Sequence, residues 1–249
     1  MEVLLKSLPP WPNQDFSAYG ETEIKKLPRI QVLTAAFLSR NWVAIPHVTH
    51  HDEVDVTEME AWRGAWNAKT QGPRLTPLIP VIKAVIAALK LFPQFNASVD
   101  VEGGRLILKK YFHIGIAAET PAGLLVPVVR DCDRKSVSEI AAEIAATAEK
   151  ARTRGLSMAE MSGGCFSISS LGHIGGTAFT PIINAPEVAI LGMTKIQLRA
   201  VQDDEGGIAW RKLLPLSLSY DHRVINGADA ARFTRYLGDM LAAPESLMP

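Results

Sequence analysis

Two pairs of apolar runs, each doubling back across a short glycine-bearing turn, constrain this chain more than any other feature. Ala97 to Val101 and Arg105 to Lys109 flank Glu102-Gly103-Gly104, and Phe112 to Glu119 and Leu124 to Val129 flank Pro121-Ala122-Gly123. So short a turn joins antiparallel neighbours, because a parallel crossover needs a dozen residues or more. Helix signals surround these runs. Arg29 to Asn41 places Ile30, Leu33, Phe37 and Leu38 on one face. Thr57 with Glu60 has the spacing of a capping box, opening a helix that carries Met59, Trp62 and Trp66. Thr76-Pro77 starts a helix to about Leu91 that is apolar on most sides. Ser136 with Glu139 repeats the capping box for a helix that stops near Gly155. Further strands are expected at Val43 to Val56 (interrupted by Pro46), Phe166 to Ser169, Val188 to Leu191 and Leu213 to Ser219, and a last helix from about Ala228 to Leu241. The fold class that follows is α/β, a two-layer sandwich with a mixed, largely antiparallel sheet.

The 249 residues suffice for one large domain. Residues 1–26 have the character of an extended, proline-rich arm or linker, and 27–249 show neither an internal repeat nor a break in composition. The 26 Lys and Arg cancel the 26 Asp and Glu, which argues against a nucleic-acid-binding surface and against an acidic tail. The longest stretch free of Asp, Glu, Lys and Arg, Met161 to Pro186, is too rich in Gly, Ser, Thr and Pro to span a membrane. No apolar run at the start suits a signal peptide. With only Cys132 and Cys165 there is no disulfide framework, so a reducing, cytoplasmic setting is expected, with neither nucleic acid nor membrane as partner. Neither a strand–GxGxxG–helix nor a GxxxxGK[ST] motif is present.

Four segments carry side chains capable of chemistry. His47-Val-Thr-His50-His51 lies near Asp52, Glu53 and Asp55, but neighbours on a strand point to opposite faces, so a polar strand face is expected and no metal. Cys165, between Gly164 and Phe166, has no neighbouring histidine and suits a buried structural thiol. Between Ser217 and Gly227 an apolar strand ends in Asp221-His222-Arg223, then a turn with Asn226-Gly227 leads into a helix. On spacing alone His222 is either a tuned base or a structural histidine beside an ion pair. From Ser167 to Gly176, serines at a strand end precede a glycine-rich loop. They either present a hydroxyl and backbone N–H groups to a ligand or bond their own backbone.

Taken together, Asp221-His222-Arg223-Val-Ile-Asn226-Gly227, Ser169-Ser170-Leu-Gly-His-Ile-Gly-Gly and Phe179-Thr-Pro-Ile-Ile-Asn-Ala-Pro-Glu-Val-Ala-Ile-Leu-Gly192 resemble the catalytic domain of the dihydrolipoamide acyltransferases, core components of 2-oxoacid dehydrogenase complexes. The resemblance runs from about Phe16 to about Leu241 and includes Leu38-Ser-Arg-Asn-Trp-Val-Ala-Ile-Pro-His-Val-Thr-His50. Within that family it is most similar to the acetyltransferases of bacterial pyruvate dehydrogenase complexes. The His-Arg-x-x-x-Gly signature, shared with chloramphenicol acetyltransferase, implies that fold.

The resemblance implies acetyl transfer between the S8 thiol of dihydrolipoamide and coenzyme A, by direct transfer without a covalent enzyme intermediate. A succinyl or branched-chain acyl group, or a scaffold keeping only the fold, are the alternatives. It casts His222 as general base, Ser170 as oxyanion donor and Asn226 as an orienting partner, with Asp221 and Arg223 fixing their loop through an ion pair. Arg63, Lys83, Phe179 and Thr180 are expected to contact the coenzyme. With no Asp-Lys-Ala turn in the chain, the lipoyl group is expected to arrive on a separate lipoyl domain. The implied partners are two further copies of the chain, in a homotrimer with sites between subunits, and the pyruvate dehydrogenase and dihydrolipoamide dehydrogenase components. The chain ends Ala243-Pro-Glu-Ser-Leu-Met-Pro249, where only Leu247 and Met248 could serve as an apolar anchor between trimers. An isolated trimer rather than a hollow cube is expected on that ground.

Overall fold

A computed structural model describes residues 12–120, 123–203 and 205–247. Residues 12–28 form one 3-10 turn, Phe16–Tyr19, and are largely exposed. The regular elements that follow are α1 (Arg29–Ala44), β1 (His47–Asp55), α2 (Thr57–Lys69), α3 (Leu78–Leu91), β2 (Ala97–Asp100), β3 (Arg105–Leu108), β4 (Ile114–Thr120), β5 (Gly123–Leu125), β6 (Val128–Val129), α4 (Val137–Thr153), β7 (Phe166–Ser170), β8 (Ala189–Met193), β9 (Gln197–Gln202), β10 (Ile208–Asp221) and α5 (Gly227–Ala242). The main sheet runs β1-β10-β8-β7-β4-β5, with β6 on β4 and β9 on β10, while β2 and β3 form a separate hairpin. Strands β4, β7 and β8 are parallel to one another and every other pair is antiparallel. This is the expected mixed α/β sandwich, with the parallel step from β4 to β7 carried by a crossover through α4.

Alternation along β10 sorts the two faces of the sheet. Leu214, Leu216, Leu218 and Tyr220 enter the core with Ile114, Phe166 and Leu191, beneath α3, α4 and α5. Helix α3 is buried around most of its circumference, as its all-round apolar sequence requires. Phe233 of α5 stacks on Phe95 at a centroid distance of 4.3 Å and lies 5.9 Å from Phe166, so aromatic rings join the helical layer to the sheet. The intervening residues of β10 include Ser217 and Ser219 on the other face. Ser219 and Ser217 pair across the strands with Thr49 (2.8 Å) and His51 (2.9 Å).

Local signals fared unevenly. The Ser136–Glu139 capping box forms in both directions and the helix stops before Gly155, whose φ of +73° suits a glycine. The hairpin around 102–104 pairs Asp100 with Arg105. Of the second expected turn, Pro121-Ala122 lies outside the described residues, and Thr120 pairs with Gly123 across it. The Thr57–Glu60 capping box does not form. Val56 stands at the N-cap, the Thr57 hydroxyl donates to Asp55 (2.6 Å) and accepts the N–H of Lys212 (2.9 Å), and Glu60 pairs with Arg63 instead. A tertiary tie to β10 has claimed the hydroxyl that the local motif needs. The strand expected from Val43 begins only at His47, because α1 continues through Ala44. Strand β9 and the outer half of β10 were not expected. They form a hairpin bearing exposed Leu198, Ile208 and Trp210 (64% exposed). Among the described residues no helix is long and apolar enough to cross a membrane.

Candidate active site

His222 stands one residue beyond β10, where several backbone bonds fix the chain. Its own N–H donates to Pro46 O (3.1 Å), and the N–H of Asp221 donates to Val188 O (2.9 Å). Asp221 is only 2% exposed, and its carboxylate accepts from the backbone N–H of Arg223 (3.0 Å), from Nε (2.9 Å) and from Nη2 (2.6 Å). This pairing holds the Arg223 guanidinium above its ordinary pKa and compensates a carboxylate that would otherwise be buried alone. The expected clamp is therefore present: the ion pair grips the turn and leaves the His222 ring exposed, its centroid 5.8 Å from that of Tyr220. Four residues on, Asn226 caps α5, its Oδ1 accepting the N–H of Asp229 (2.9 Å). With the carbonyl oxygen committed to the cap, the amide nitrogen is the end of Asn226 that can donate elsewhere.

Ser170 is the last residue of β7 and lines a cavity of ≈ 980 Å³, together with Ala117, Thr120, Leu124, Arg152 and His173. The loop beyond it turns its N–H groups inward: Ile174 and Gly175 both donate to Leu171 O, and Leu171 donates to Met193 O. Gly176, at φ +86°, completes a turn that a side chain would strain. Those backbone donors are spent on the loop. Among the described residues the Ser170 hydroxyl makes no hydrogen bond, so at this strand end the hydroxyl is the donor on offer.

Register sets the distance between the two groups. Ser170 is level with Met193 of β8 and, one strand further, with Leu216 of β10. His222 lies six positions beyond Leu216. Six strand residues at ~3.3 Å and two interstrand steps of ~4.8 Å put Ser170 and His222 about 20 Å apart within one chain. Phe179 belongs to the Ser170 end, its N–H donating to Ser217 Oγ (3.4 Å), while Thr180 beside it is exposed. Asn226 belongs to the His222 end.

The two basic residues tied to the coenzyme by resemblance are engaged inside the helical layer. Arg63 makes a bidentate pair with Glu60 (2.7 Å twice) and donates to Leu75 O (2.9 Å), and the pair raises its pKa. Lys83, 8% exposed, donates to Lys135 O (2.9 Å), and burial lowers its pKa. Neither lines the Ser170 cavity. Two histidines of β1, His47 and His51, serve the backbone and a neighbouring side chain. The ring of His47 accepts the N–H of Ile183 at Nε2 (3.0 Å), which leaves Nδ1 to donate to Ile45 O (2.8 Å). Cys165 is buried, donates to Tyr111 O (3.2 Å), and is pushed up in pKa by burial, which makes it a poor nucleophile. Sequence reasoning passed over Glu187. It is 4% exposed, and burial pushes its carboxyl up to about 7. The available signal was a carboxylate directly abutting the apolar run Val188 to Leu191.

The sheet order, the α4 crossover and the strand–turn–helix junction at His222 define a protein of the chloramphenicol acetyltransferase fold. A chloramphenicol acetyltransferase structure matches 82% of the chain at a TM-score of 0.56 and 16% identity, a likeness of fold alone. Residues 19–249 match the family of 2-oxoacid dehydrogenases acyltransferase catalytic domains, and the chain belongs to that family. Curated relatives include the proteins named dihydrolipoyllysine-residue acetyltransferase component of pyruvate dehydrogenase complex from Cupriavidus necator (56% identical over 235 residues) and Pseudomonas aeruginosa (54% over 243). The matches cover 94% and 97% of this chain but 42% and 44% of those relatives, so the chain spans less than half their length. Among solved structures, the Azotobacter vinelandii dihydrolipoamide acetyltransferase, studied for the catalytic role of a serine, a histidine and an asparagine, superposes at a TM-score of 0.93 and 52% identity. The cubic core of a pyruvate dehydrogenase multienzyme complex does so at 0.93 and 53%; each comparison covers 96% of this chain and 99% of the other.

Proposed function

We propose that this chain transfers an acetyl group between the S8 thiol of dihydrolipoamide and the thiol of coenzyme A, as the acetyltransferase of a pyruvate dehydrogenase complex, in sites shared between the subunits of a homotrimer. The observation that carries this reading is the separation of Ser170 and His222 by about 20 Å along one sheet. A site that uses both must take them from two chains. Family membership and the names of the relatives support the reaction. The serine, histidine and asparagine studied in the Azotobacter protein stand at the same spacing along their chain as Ser170, His222 and Asn226 do here.

In such a site His222, exposed on a rigid turn, takes the thiol proton as sulfur attacks the thioester. A thiol of pKa near 8.5 is mostly protonated at neutral pH, and general-base help is worth ~10²–10⁴-fold. Ser170 of the neighbouring chain donates its hydroxyl to the oxyanion that forms, a contribution of about 3–4 kcal/mol. Asn226 keeps its amide nitrogen toward the site while its oxygen caps α5. His222 then returns the proton to the departing thiol, and no group on the enzyme is acylated. Phe179 and Thr180 wall the coenzyme's pantetheine arm. Arg63 and Lys83 would meet its phosphates only by leaving Glu60 and the Lys135 carbonyl.

The lipoyl group enters on a lipoyl domain, and the pyruvate dehydrogenase and dihydrolipoamide dehydrogenase components complete the set of cytoplasmic partners. The assembly proposed is a homotrimer with three shared sites. A solution mass below that of three chains would overturn that assembly. The shared site is tested by mixing His222→Ala and Ser170→Ala chains. Mixed trimers should regain activity that neither parent has, at sites pairing an intact His222 with an intact Ser170. No recovery in proven mixed trimers would refute it. Turnover with succinyl-CoA or isobutyryl-CoA in preference to acetyl-CoA would reassign the acyl group, and turnover with none of the three would leave a scaffold.

A further inference from the structure

Gly192 lies in the middle of β8, a central strand, where its backbone is ordinary extended chain outside the left-handed region. Its conformation therefore does not call for glycine, and a glycine inside a strand both weakens it and marks a close approach by another group. The approaching group is the ring of Phe179. A Cβ on residue 192 would sit 2.6, 2.8 and 3.2 Å from Cζ, Cε1 and Cε2 of that ring, and those are its three nearest atoms. The ring of Phe179 is what first needs the space. Register supplies the second support. Gly192 is level with Ser217 of β10, which is level with His51 of β1, and on the other side with Ser169 of β7. Ser217 is buried, its Oγ accepts the N–H of Phe179 (3.4 Å) and lies 2.9 Å from His51 Nδ1. One row across the sheet thus holds Phe179 twice, by its ring on Gly192 and by its backbone on Ser217. The same row ends beside Ser170.

We propose that Gly192 is a positioning residue for coenzyme binding: its missing side chain seats the Phe179 ring, and Ser217, braced by His51, pins the same residue's backbone, so that residues 177–180 present a fixed wall to the coenzyme. The proposal rests on the reading that Phe179 and Thr180 line the pantetheine arm. Gly192 touches neither substrate. Its effect is on coenzyme affinity, and chemistry at saturating coenzyme is left nearly unchanged.

The test compares the intact trimeric chain with Gly192→Ala, Phe179→Ala and the double variant, measuring the Kd of coenzyme A by calorimetry, KM and kcat for acetyl transfer, and the urea midpoint. Gly192→Ala should raise Kd and KM about tenfold, the equivalent of 1.4 kcal/mol, with kcat within about twofold of wild type. Added to Phe179→Ala, the same substitution should do nothing further, because no ring is left to displace. Equal effects of Gly192→Ala in both backgrounds, or an unchanged KM in a folded Gly192→Ala chain, would overturn the proposal. Should Gly192→Ala fail to assemble while the double variant folds, the seat is supported, and Ser217→Ala, which frees the backbone alone, must then raise KM in the same direction. If Phe179→Ala leaves Kd and KM at wild-type values, the reading of Phe179 as a coenzyme wall fails. The seat itself would still show as a urea midpoint lowered by Gly192→Ala and restored in the double variant.

Discussion

Replacing Glu187 by glutamine should make this protein more stable at alkaline pH while leaving it nearly unchanged near pH 5. The carboxyl precedes β8, 4% exposed, with Asn184 donating to one oxygen at 3.3 Å and, among the described residues, no partner for the other. Lys109, itself lowered in pKa by burial, and Cys165 are the other titratable groups around it, and Ser167 faces it without a well-formed hydrogen bond. Burial outweighs these and sets its pKa at about 7 against an ordinary 4.5. The folded state thus binds this proton more tightly than the unfolded state does. The associated stability is fully present below about pH 4.5 and is lost as pH rises through about 7. At 1.36 kcal/mol per pH unit, the gap corresponds to about 3 kcal/mol by pH 9. A neutral amide of the same shape removes this dependence. Urea unfolding of wild type and Glu187→Gln at fixed subunit concentration, from pH 5 to 9, should show two curves that part above pH 5 with the variant on top. Curves that stay parallel, or a variant that loses ground as pH rises, would refute a buried proton at Glu187.

His222→Ala should collapse kcat with the Kd of coenzyme A nearly kept; a retained wild-type kcat would strip His222 of its role. Ser170→Ala should lower kcat ~10²–10³-fold with little change in KM, read in the same assay. Arg223→Lys keeps a charge but cannot reproduce the two-nitrogen grip on Asp221, so kcat should fall several-fold. Phe233→Ala, which removes a fully buried ring between Phe95 and Phe166, should cost about 3–5 kcal/mol in urea unfolding.

What the amino-acid sequence disclosed was local. The 102–104 turn, the Ser136–Glu139 box and the junction at Asp221-His222-Arg223 each rest on residues within a few positions of one another, and each stands as expected. Thr57 shows the limit: its hydroxyl has capping geometry within reach but serves Asp55 and the distant Lys212 N–H. Strand β9 and the outer half of β10 escaped notice because Arg199, Arg211 and Lys212 interrupt the apolar pattern and neither face of that hairpin is buried within one chain. The separation of Ser170 from His222 depends on strand order, which no spacing along the chain reveals. Burial of Lys83 and Glu187 is likewise a property of the packed core, of which the apolar runs beside each are only a partial sign.

The two ends of the β7–β8–β10 sheet also govern how defects combine when chains mix. If every site draws its histidine from one chain and its serine from the next, a chain lacking only His222 spoils one site of three. Activity in a random mixture then falls in proportion to the intact fraction. A chain lacking both groups spoils the sites on either side of it, and activity falls as the square of that fraction. Dosage response thus becomes a readout of strand order.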